Sequence, residues 1–340
     1  RAFRQAMAGF LHRQFGWQLG EEHIAVSNGS QAAFFILHNL FAGVMPDGSQ
    51  RRIHLPIAPE YVGYADIGLS NDFFSATRPE IELLGDQLFK YHIDFNNLVL
   101  GEEVGALCVS RPTNPTGNVV SDDELAQLDA VAAAANIPLI VDGAYGVPFP
   151  AIVYEAATPH WNQNTILVLS LSKLGLPGVR TGIVVARPDI IEAFSNVNTI
   201  VNLSCGNLGP VVGKALLDSG DMLDVSRQQV MPFYRRRAEL ALALLREAMA
   251  GLPCRIHKPE GAFFLWLWFE GLPISSQQFY QGLKDRGVLV VPGHNFFTGI
   301  GGDWVHTREC IRVSYAQDET VVRQGIAIIA EEARRAYHLG

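Results

Sequence analysis

Two kinds of apolar pattern alternate along the first two-thirds of this chain. Short, largely apolar runs occupy 53–57, 105–109, 138–141, 165–169 and 181–186. Apolar on successive positions, they predict strands covered on both faces. Between them lie stretches whose apolar residues recur every three to four positions, as at 1–15, 30–41 and 122–135, which predicts helices. Ser121 is placed to cap the last of these, with Glu124 completing a capping box. Strands alternating with helices predict an α/β fold around a mostly parallel sheet. A long helical region follows at 208–249. Beyond it the pattern changes. Strands are predicted at 254–257, 262–268, 288–291 and 310–313, with helices at 276–285 and 318–337, the signature of a smaller α+β domain. The chain is therefore expected to divide into a large domain at 16–235 and a small one built from 1–15 and 236–340.

Composition narrows the function classes only a little. The 340 residues are 48% hydrophobic and 18% charged, with a net charge of −8, ordinary for a globular protein. Basic residues are scattered, and the one tight run, Arg235-Arg236-Arg237, reads as a solvated helix face, so no nucleic-acid partner is expected. No apolar run approaches the ~18 residues of a membrane span, and no membrane partner is expected. Cys108, Cys205, Cys254 and Cys310 show no metal-binding spacing, so neither a metal nor a disulfide is expected and a cytoplasmic location fits. The sequence opens inside a helical pattern and not on methionine, so a preceding segment is expected.

The chemistry clusters where predicted strands end. The 165–169 strand runs into Ser170-Leu171-Ser172-Lys173 and, after a Gly/Pro-rich loop, Arg180. Ligands of open α/β sheets bind at such ends. A lysine partly withdrawn from water loses proton affinity and becomes a usable amine nucleophile. Two hydroxyls and an arginine beside it suit a phosphate. Amine plus phosphate site points to pyridoxal 5'-phosphate.

Other strand ends carry matching candidates, each with a plainer reading. Ser27-Asn28-Gly29-Ser30-Gln31 precedes the 30–41 helix and suits an anion, although Ser27 or Ser30 reads equally as an N-cap. Asn114 is held between Pro112 and Pro115 and offers an amide to a ligand oxygen; a simple turn is the alternative. Asp142 ends a buried strand, where a carboxylate needs a partner such as a protonated pyridine nitrogen, unless it merely caps the next element. Tyr145 is placed to donate to the ring oxygen. Tyr61 offers a face for stacking, or is a core aromatic. Arg312 interrupts an apolar strand and needs an anion, either a substrate carboxylate or an internal acid.

Asn114-Pro115-Thr116-Gly117, Asp142 with Tyr145, Ser170 with Lys173, Arg180 and Arg312 occur in the order found in the fold-type I pyridoxal-phosphate-dependent aminotransferases, which this chain resembles over nearly its whole length. The resemblance implies that fold, a Schiff base at Lys173 and a pyridinium partner in Asp142. It implies ring contacts from Tyr145, Asn114 and Tyr61, and a phosphate held by Ser30, Ser170, Arg180 and the Ser27–Ser30 backbone. Arg312 would bind the substrate α-carboxylate. The stretches 58–66, 110–119, 142–150, 257–268 and 291–297 are similar to the valine–pyruvate branch of that family. They imply transfer of an amino group from valine, or a similar small aliphatic amino acid, to pyruvate, giving 2-oxoisovalerate and alanine. Alanine or aromatic aminotransferases, a β-lyase of the same fold, and a non-catalytic binding module are the alternatives. The family also implies a homodimer, with 202–207 a candidate to reach the partner's site. Its members carry an N-terminal arm and a tyrosine that reaches the partner subunit's phosphate, and this sequence starts after where both would lie.

Overall fold

The computed structural model describes residues 1–85 and 87–338. Among the described residues two sheets organise the chain. The first contains β1 (Ile24–Ser27), β2 (Gly43–Val44), β3 (Gln50–Leu55), β4 (Phe74–Ala76), β7 (Val104–Ser110), β8 (Leu139–Asp142), β9 (Thr165–Ser170) and β10 (Gly182–Val185). Its order is β1-β10-β9-β8-β7-β3-β2, with β4 paired to β3. The second sheet contains β5 (Glu80–Leu84), β6 (Leu88–His92), β11 (Cys254–His257), β12 (Phe264–Phe269), β13 (Val291–Pro292) and β14 (Cys310–Ser314).

The centre of the first sheet is parallel, from β9 through β8 and β7 to β3. Side chains of each strand alternate between two cores. Leu107, Val109, Leu139, Val141, Leu167 and Leu169 enter one, while Ala106, Cys108, Ile140, Ile166 and Val168 enter the other. A strand buried on both sides cannot alternate apolar with polar, which is why these apolar runs are continuous in sequence. The β10 strand differs from the expected parallel set. It runs antiparallel to both β9 and β1, because the short turn-rich link of 171–181 reverses the chain instead of crossing over it.

Helices α1 (Ala2–Phe15), α2 (Ser30–Phe41), α3 (Asp122–Ala134), α4 (Pro188–Asn202), α5 (Leu208–Ser219), α6 (Asp221–Asp224), α7 (Met231–Ala248), α8 (Ser276–Asp285) and α9 (Glu319–Ala336) cover the sheets. The Ser121 hydroxyl accepts the Glu124 N–H at 3.1 Å, and Glu124 accepts the Ser121 N–H at 2.9 Å, completing the expected capping box of α3. The helical region of 208–249 is not one helix: Gly220, at φ 86°, breaks α5 from α6, and a π-helical turn at Val225–Val230 leads into α7.

Two segments lie in other layers than expected. The 1–15 helix, expected with the C-terminal unit, packs mainly on α5, β1 and the Glu21–His23 turn, with Phe3 and Leu171 beside Gly213 of α5. The β5–β6 hairpin, expected within the large domain, joins the second sheet, where β6 runs parallel to β11. The strand expected at 288–291 shrinks to β13, because the Val288 N–H closes α8 on the Leu283 carbonyl.

Candidate active site

Register brings the site together. Ser110 at the end of β7 pairs with Asp142 at the end of β8, and Asp142 with Val168 of β9. Gly182 of β10 pairs with Ser170 on one side and Ser27 on the other. The carboxyl ends of the parallel strands therefore open onto one cavity of about 190 Å³. Ser30, Gln31, Tyr61, Asn114, Asp142, Tyr145, Ser170, Lys173 and Arg180 all line it, as do Ser110 and Ser172.

The start of α2 forms one wall. Its N-cap is Gly29, with φ 92°, and no side chain caps it. Neither Ser27 nor Ser30 takes the N-cap role that the sequence left open. Ser27 is buried and donates its hydroxyl to the Gly29 carbonyl at 2.9 Å. Asn28 turns away toward α4, donating to Asn202 Oδ1 at 3.2 Å and accepting the Gly206 N–H at 3.3 Å. These two side chains are thus not brought to the cavity. The uncapped helix start carries free N–H donors and a partial positive charge. Arg180 faces it so closely that a Cβ on Gly29 would stand 2.3 Å from the Arg180 guanidinium. Arg180 itself adopts the left-handed region, φ 44°, an uncommon backbone state for a side chain of its size. Its guanidinium reaches the Ser172 hydroxyl at 3.4 Å, and among the described residues no carboxylate forms an ion pair with it. Gln31 is anchored elsewhere, its amide donating to the Gly63 carbonyl at 2.8 Å.

Lys173 lies against two rings that pack edge to face, with Nζ 5.4 Å from the ring centres of both Tyr145 and Phe263. Burial holds its pKa below the ordinary lysine value, the Arg180 and Arg312 charges push the same way, and Asp142 opposes them. Asp142 is buried; its Oδ1 accepts the Ala144 N–H at 2.8 Å and its Oδ2 accepts the Tyr64 hydroxyl at 2.7 Å. Burial pushes its pKa up to about 6. The bond to Ala144 is a local turn contact, and the same carboxylate lines the cavity. Burial raises the Tyr145 hydroxyl pKa, which keeps it a donor.

Arg312 comes from β14 of the second sheet. Its Nη1 donates to Asn114 Oδ1 at 2.7 Å, and its guanidinium lies 4.3 Å and 5.2 Å from the Phe264 and Phe296 ring centres. Among the described residues no acid pairs with it, so the internal salt bridge is not its explanation. Asn114 also lines the cavity. Arg111 braces that loop, bonding Val120, Thr158 and Asp122.

Three contributors escaped sequence reasoning: Glu60, Tyr64 and Ser110. The stretch 59–64 was visible for its aromatic rings alone. Its signal was an acid two residues ahead of an apolar turn, next to a buried strand, which has the same need for a partner as Asp142. Among the described residues no cluster of His, Cys, Asp or Glu is arranged to hold a metal.

A family model, aminotransferase class I and II, matches residues 73–329. The chain belongs to that family. This aminotransferase is 51% identical over 331 residues to the valine–pyruvate aminotransferase of Escherichia coli (strain K12), covering 97% of this chain and 79% of the relative. The crystal structure of valine–pyruvate aminotransferase from Salmonella typhimurium LT2 superposes with a TM-score of 0.94 at 49% identity, covering 100% of this chain and 85% of the other. An α-aminoadipate aminotransferase of Thermus thermophilus, complexed with N-(5'-phosphopyridoxyl)-L-leucine, shares the fold with a TM-score of 0.80 at 21% identity, covering 100% and 82% of the two chains. The aminotransferase is thus an α/β protein of fold type I. No helix among the described residues is long and apolar enough to cross a membrane.

Proposed function

We propose that this aminotransferase exchanges the amino group between valine, or a similarly small aliphatic amino acid, and pyruvate, with pyridoxal 5'-phosphate as its cofactor. The observation that carries the reading is the Lys173 amine, partly desolvated beside two rings at a cavity that also holds an acid-free arginine and an uncapped helix start. The residues present fit the cofactor. The uncapped start of α2 offers free N–H donors to an anion, and Ser30, Ser170 and Arg180 line the cavity it faces. Asp142 would face the ring nitrogen, Tyr145 and the Asn114 amide its phenolic oxygen, and Tyr61 its face. When bound, the cofactor supplies an electron sink for the bonds at the substrate's Cα.

The protein's own groups supply the rest. Arg312 grips the α-carboxylate, its guanidinium fixed by Asn114. Lys173, with its depressed proton affinity, is the base that takes the Cα proton at Nζ. Asp142 stays an acceptor at neutral pH because Tyr64 and Ala144 donate to it. The rings of Tyr145, Phe263 and Phe264 exclude water and suit an apolar substrate side chain. The names of the two relatives support valine and pyruvate. A panel of amino donors with pyruvate as acceptor tests the choice. Valine is expected to lead; a preference for aspartate or phenylalanine over valine would overturn it.

The same reading includes a homodimer in the cytoplasm. Ile200, Val201, Leu203, Leu208 and Val211 form an exposed apolar strip at the junction of α4 and α5, next to the Asn28–Asn202 contact. The four cysteines are free thiols, as a reducing compartment keeps them. Sedimentation at micromolar concentration should give a dimer, and a monomer would remove that part of the proposal.

A further inference from the structure

A second carboxylate lies behind the site. Glu60 is 1% exposed. Its Oε1 accepts the Ser110 N–H at 2.7 Å, and its Oε2 lies 2.6 Å from the Ser110 hydroxyl and 3.1 Å from the Tyr61 N–H. Ser110 is the register partner of Asp142. The Tyr64 hydroxyl stands 3.5 Å from Ser110 Oγ and 2.7 Å from Asp142 Oδ2. Glu60, Ser110, Tyr64 and Asp142 therefore form one file of hydroxyls with an acid at each end.

The titratable groups facing Glu60 are Asp142 on β8, Cys108 on β7, and Tyr64 and Tyr61 on its own loop. None is a cation. Two carboxylates so close in a buried, uncompensated setting do not both ionise. Asp142 has Lys173 across the cavity to favour its charge, whereas Glu60 has none. Burial pushes Glu60 up to about 8, with Asp142 adding to the rise, against about 6 for Asp142. Burial and the neighbouring Asp142 charge thus favour the neutral form of Glu60, while Lys173 favours the ionised form of Asp142. Every link then has one donor and one acceptor: Glu60 donates to Ser110 Oγ, Ser110 to Tyr64 Oη, and Tyr64 to Asp142.

We propose that Glu60 is a positioning residue for Asp142: at the head of this file it points the Ser110 and Tyr64 hydroxyls toward the carboxylate and so fixes the group that meets the cofactor ring. The inference rests on the proposed function. It predicts that a side chain able to donate and accept at position 60 suffices, and that an ionised or apolar one does not.

The test compares wild type with Glu60→Gln, Glu60→Leu, Tyr64→Phe and the Glu60→Leu/Tyr64→Phe double variant. It reads the dissociation constant of pyridoxal phosphate from each protein against pH, and the infrared carboxyl band of the apoprotein. At neutral pH Glu60→Gln is expected to bind within about threefold of wild type, since its amide keeps an acceptor for the Ser110 N–H and a donor for Ser110 Oγ, losing only the longer Tyr61 N–H contact. Glu60→Leu and Tyr64→Phe are each expected to bind about tenfold more weakly. The double variant should be no weaker than either single, because both act through one file. Wild-type affinity should change as pH rises from about 7 to about 9, while Glu60→Gln stays flat. The wild-type apoprotein should show a protonated-carboxyl band at neutral pH that Glu60→Gln lacks. Wild-type binding by Glu60→Leu, full additivity in the double variant, or absence of that band would each overturn the proposal. Should Glu60→Leu not fold, Ser110→Ala interrupts the same file and takes its place. A wild type that holds no pyridoxal phosphate would instead sink the proposed function. Binding by wild type with no difference among the variants would sink the file alone.

Discussion

Two charged clusters of this molecule, both largely withdrawn from water, are built on opposite plans. Around Lys90 and Glu260, where β6 meets the 116–120 loop, every charge has its partner. Lys90 donates to Asn118, the Val119 carbonyl and Glu260, while Glu260 also accepts the Val119 N–H at 3.0 Å and pairs with Lys258. Around Lys173 the plan is inverted. Lys173 and Arg180 line one cavity, the Arg312 charge acts on Lys173 from beside it, and among the described residues none of the three forms an ion pair. One cluster is complete in itself and joins the two sheets. The other is complete only with anions from outside, which is what a phosphate and a substrate carboxylate supply.

The largest effect separating the two plans belongs to Lys173→Ala. Removing the amine should cut transamination by about 10⁴-fold, equivalent to ~5.5 kcal/mol of barrier. The fold should hold, because Lys173 has no ion pair to lose. Stopped-flow and steady-state assays with valine and pyruvate read the first part, and calorimetry the second. A variant that turns over near the wild-type rate would break the assignment of the site.

The mirror experiment is Glu260→Gln. It leaves Lys90 charged and part-buried with only neutral partners, so stability should fall by about 3 kcal/mol. The thermal midpoint should drop, while KM for both substrates stays within about twofold of wild type at room temperature. A large KM change with an unaltered midpoint would show that the Lys90–Glu260 cluster serves the site and not the join between sheets.

How far each plan was legible in sequence follows from the range of its contacts. Lys173, Asp142, Asn114 and Arg180 end or follow continuous apolar runs, and a strand end is a local, readable event. Asp142 could be recognised because a carboxylate at the end of Leu139–Asp142 has no reason to be there unless something needs it. The join between sheets was not readable. Lys90 and Glu260 are 170 residues apart, and the pairing of Ile256 with Leu88 depends on a hairpin whose strand Glu80–Leu84 is mostly solvated and carries little apolar signal. Nor could the local sequence show that Asn28 turns to Asn202 while its neighbour Gly29 faces Arg180, since φ 92° at Gly29 sets both directions. The role of Glu60 was not readable either, because its partner Ser110 lies 50 residues away on β7.

Arg312→Ala sharpens the comparison at a smaller scale. The charge it removes has Asn114 and two rings as its company, so stability should change little. The KM for valine should rise about 100-fold, ~2.7 kcal/mol, with a smaller change in kcat, since the carboxylate is gripped before and during the reaction alike. Arg312→Lys should recover only part of this, because an ammonium cannot make the forked contact. Equal loss in kcat and kcat/KM would instead place Arg312 at the reacting atoms.

The smallest expected effect is a slope of stability against pH in the apoprotein, and it bears on why the site is left incomplete. Asp142 ionises near pH 6 in the fold, above the ordinary carboxylate value, because burial disfavours its charge. The folded state therefore binds a proton that the unfolded chain has already released, and stability falls as pH rises. The contribution is fully present below the unfolded pKa of about 4 and is lost as pH climbs through about 6, a change of about 3 kcal/mol. Asp142→Asn should flatten that part of the profile and leave the apoprotein more stable at neutral pH than wild type, while abolishing its activity. A cofactor ring cation beside Asp142 should reverse the sign, because it favours the carboxylate that burial opposes. Denaturation midpoints measured across this pH range, with and without pyridoxal phosphate, read both slopes. If wild type and Asp142→Asn run parallel without the cofactor, Asp142 is no longer a charge held at a cost for a ligand, and the contrast with the self-sufficient Lys90–Glu260 cluster loses its central member.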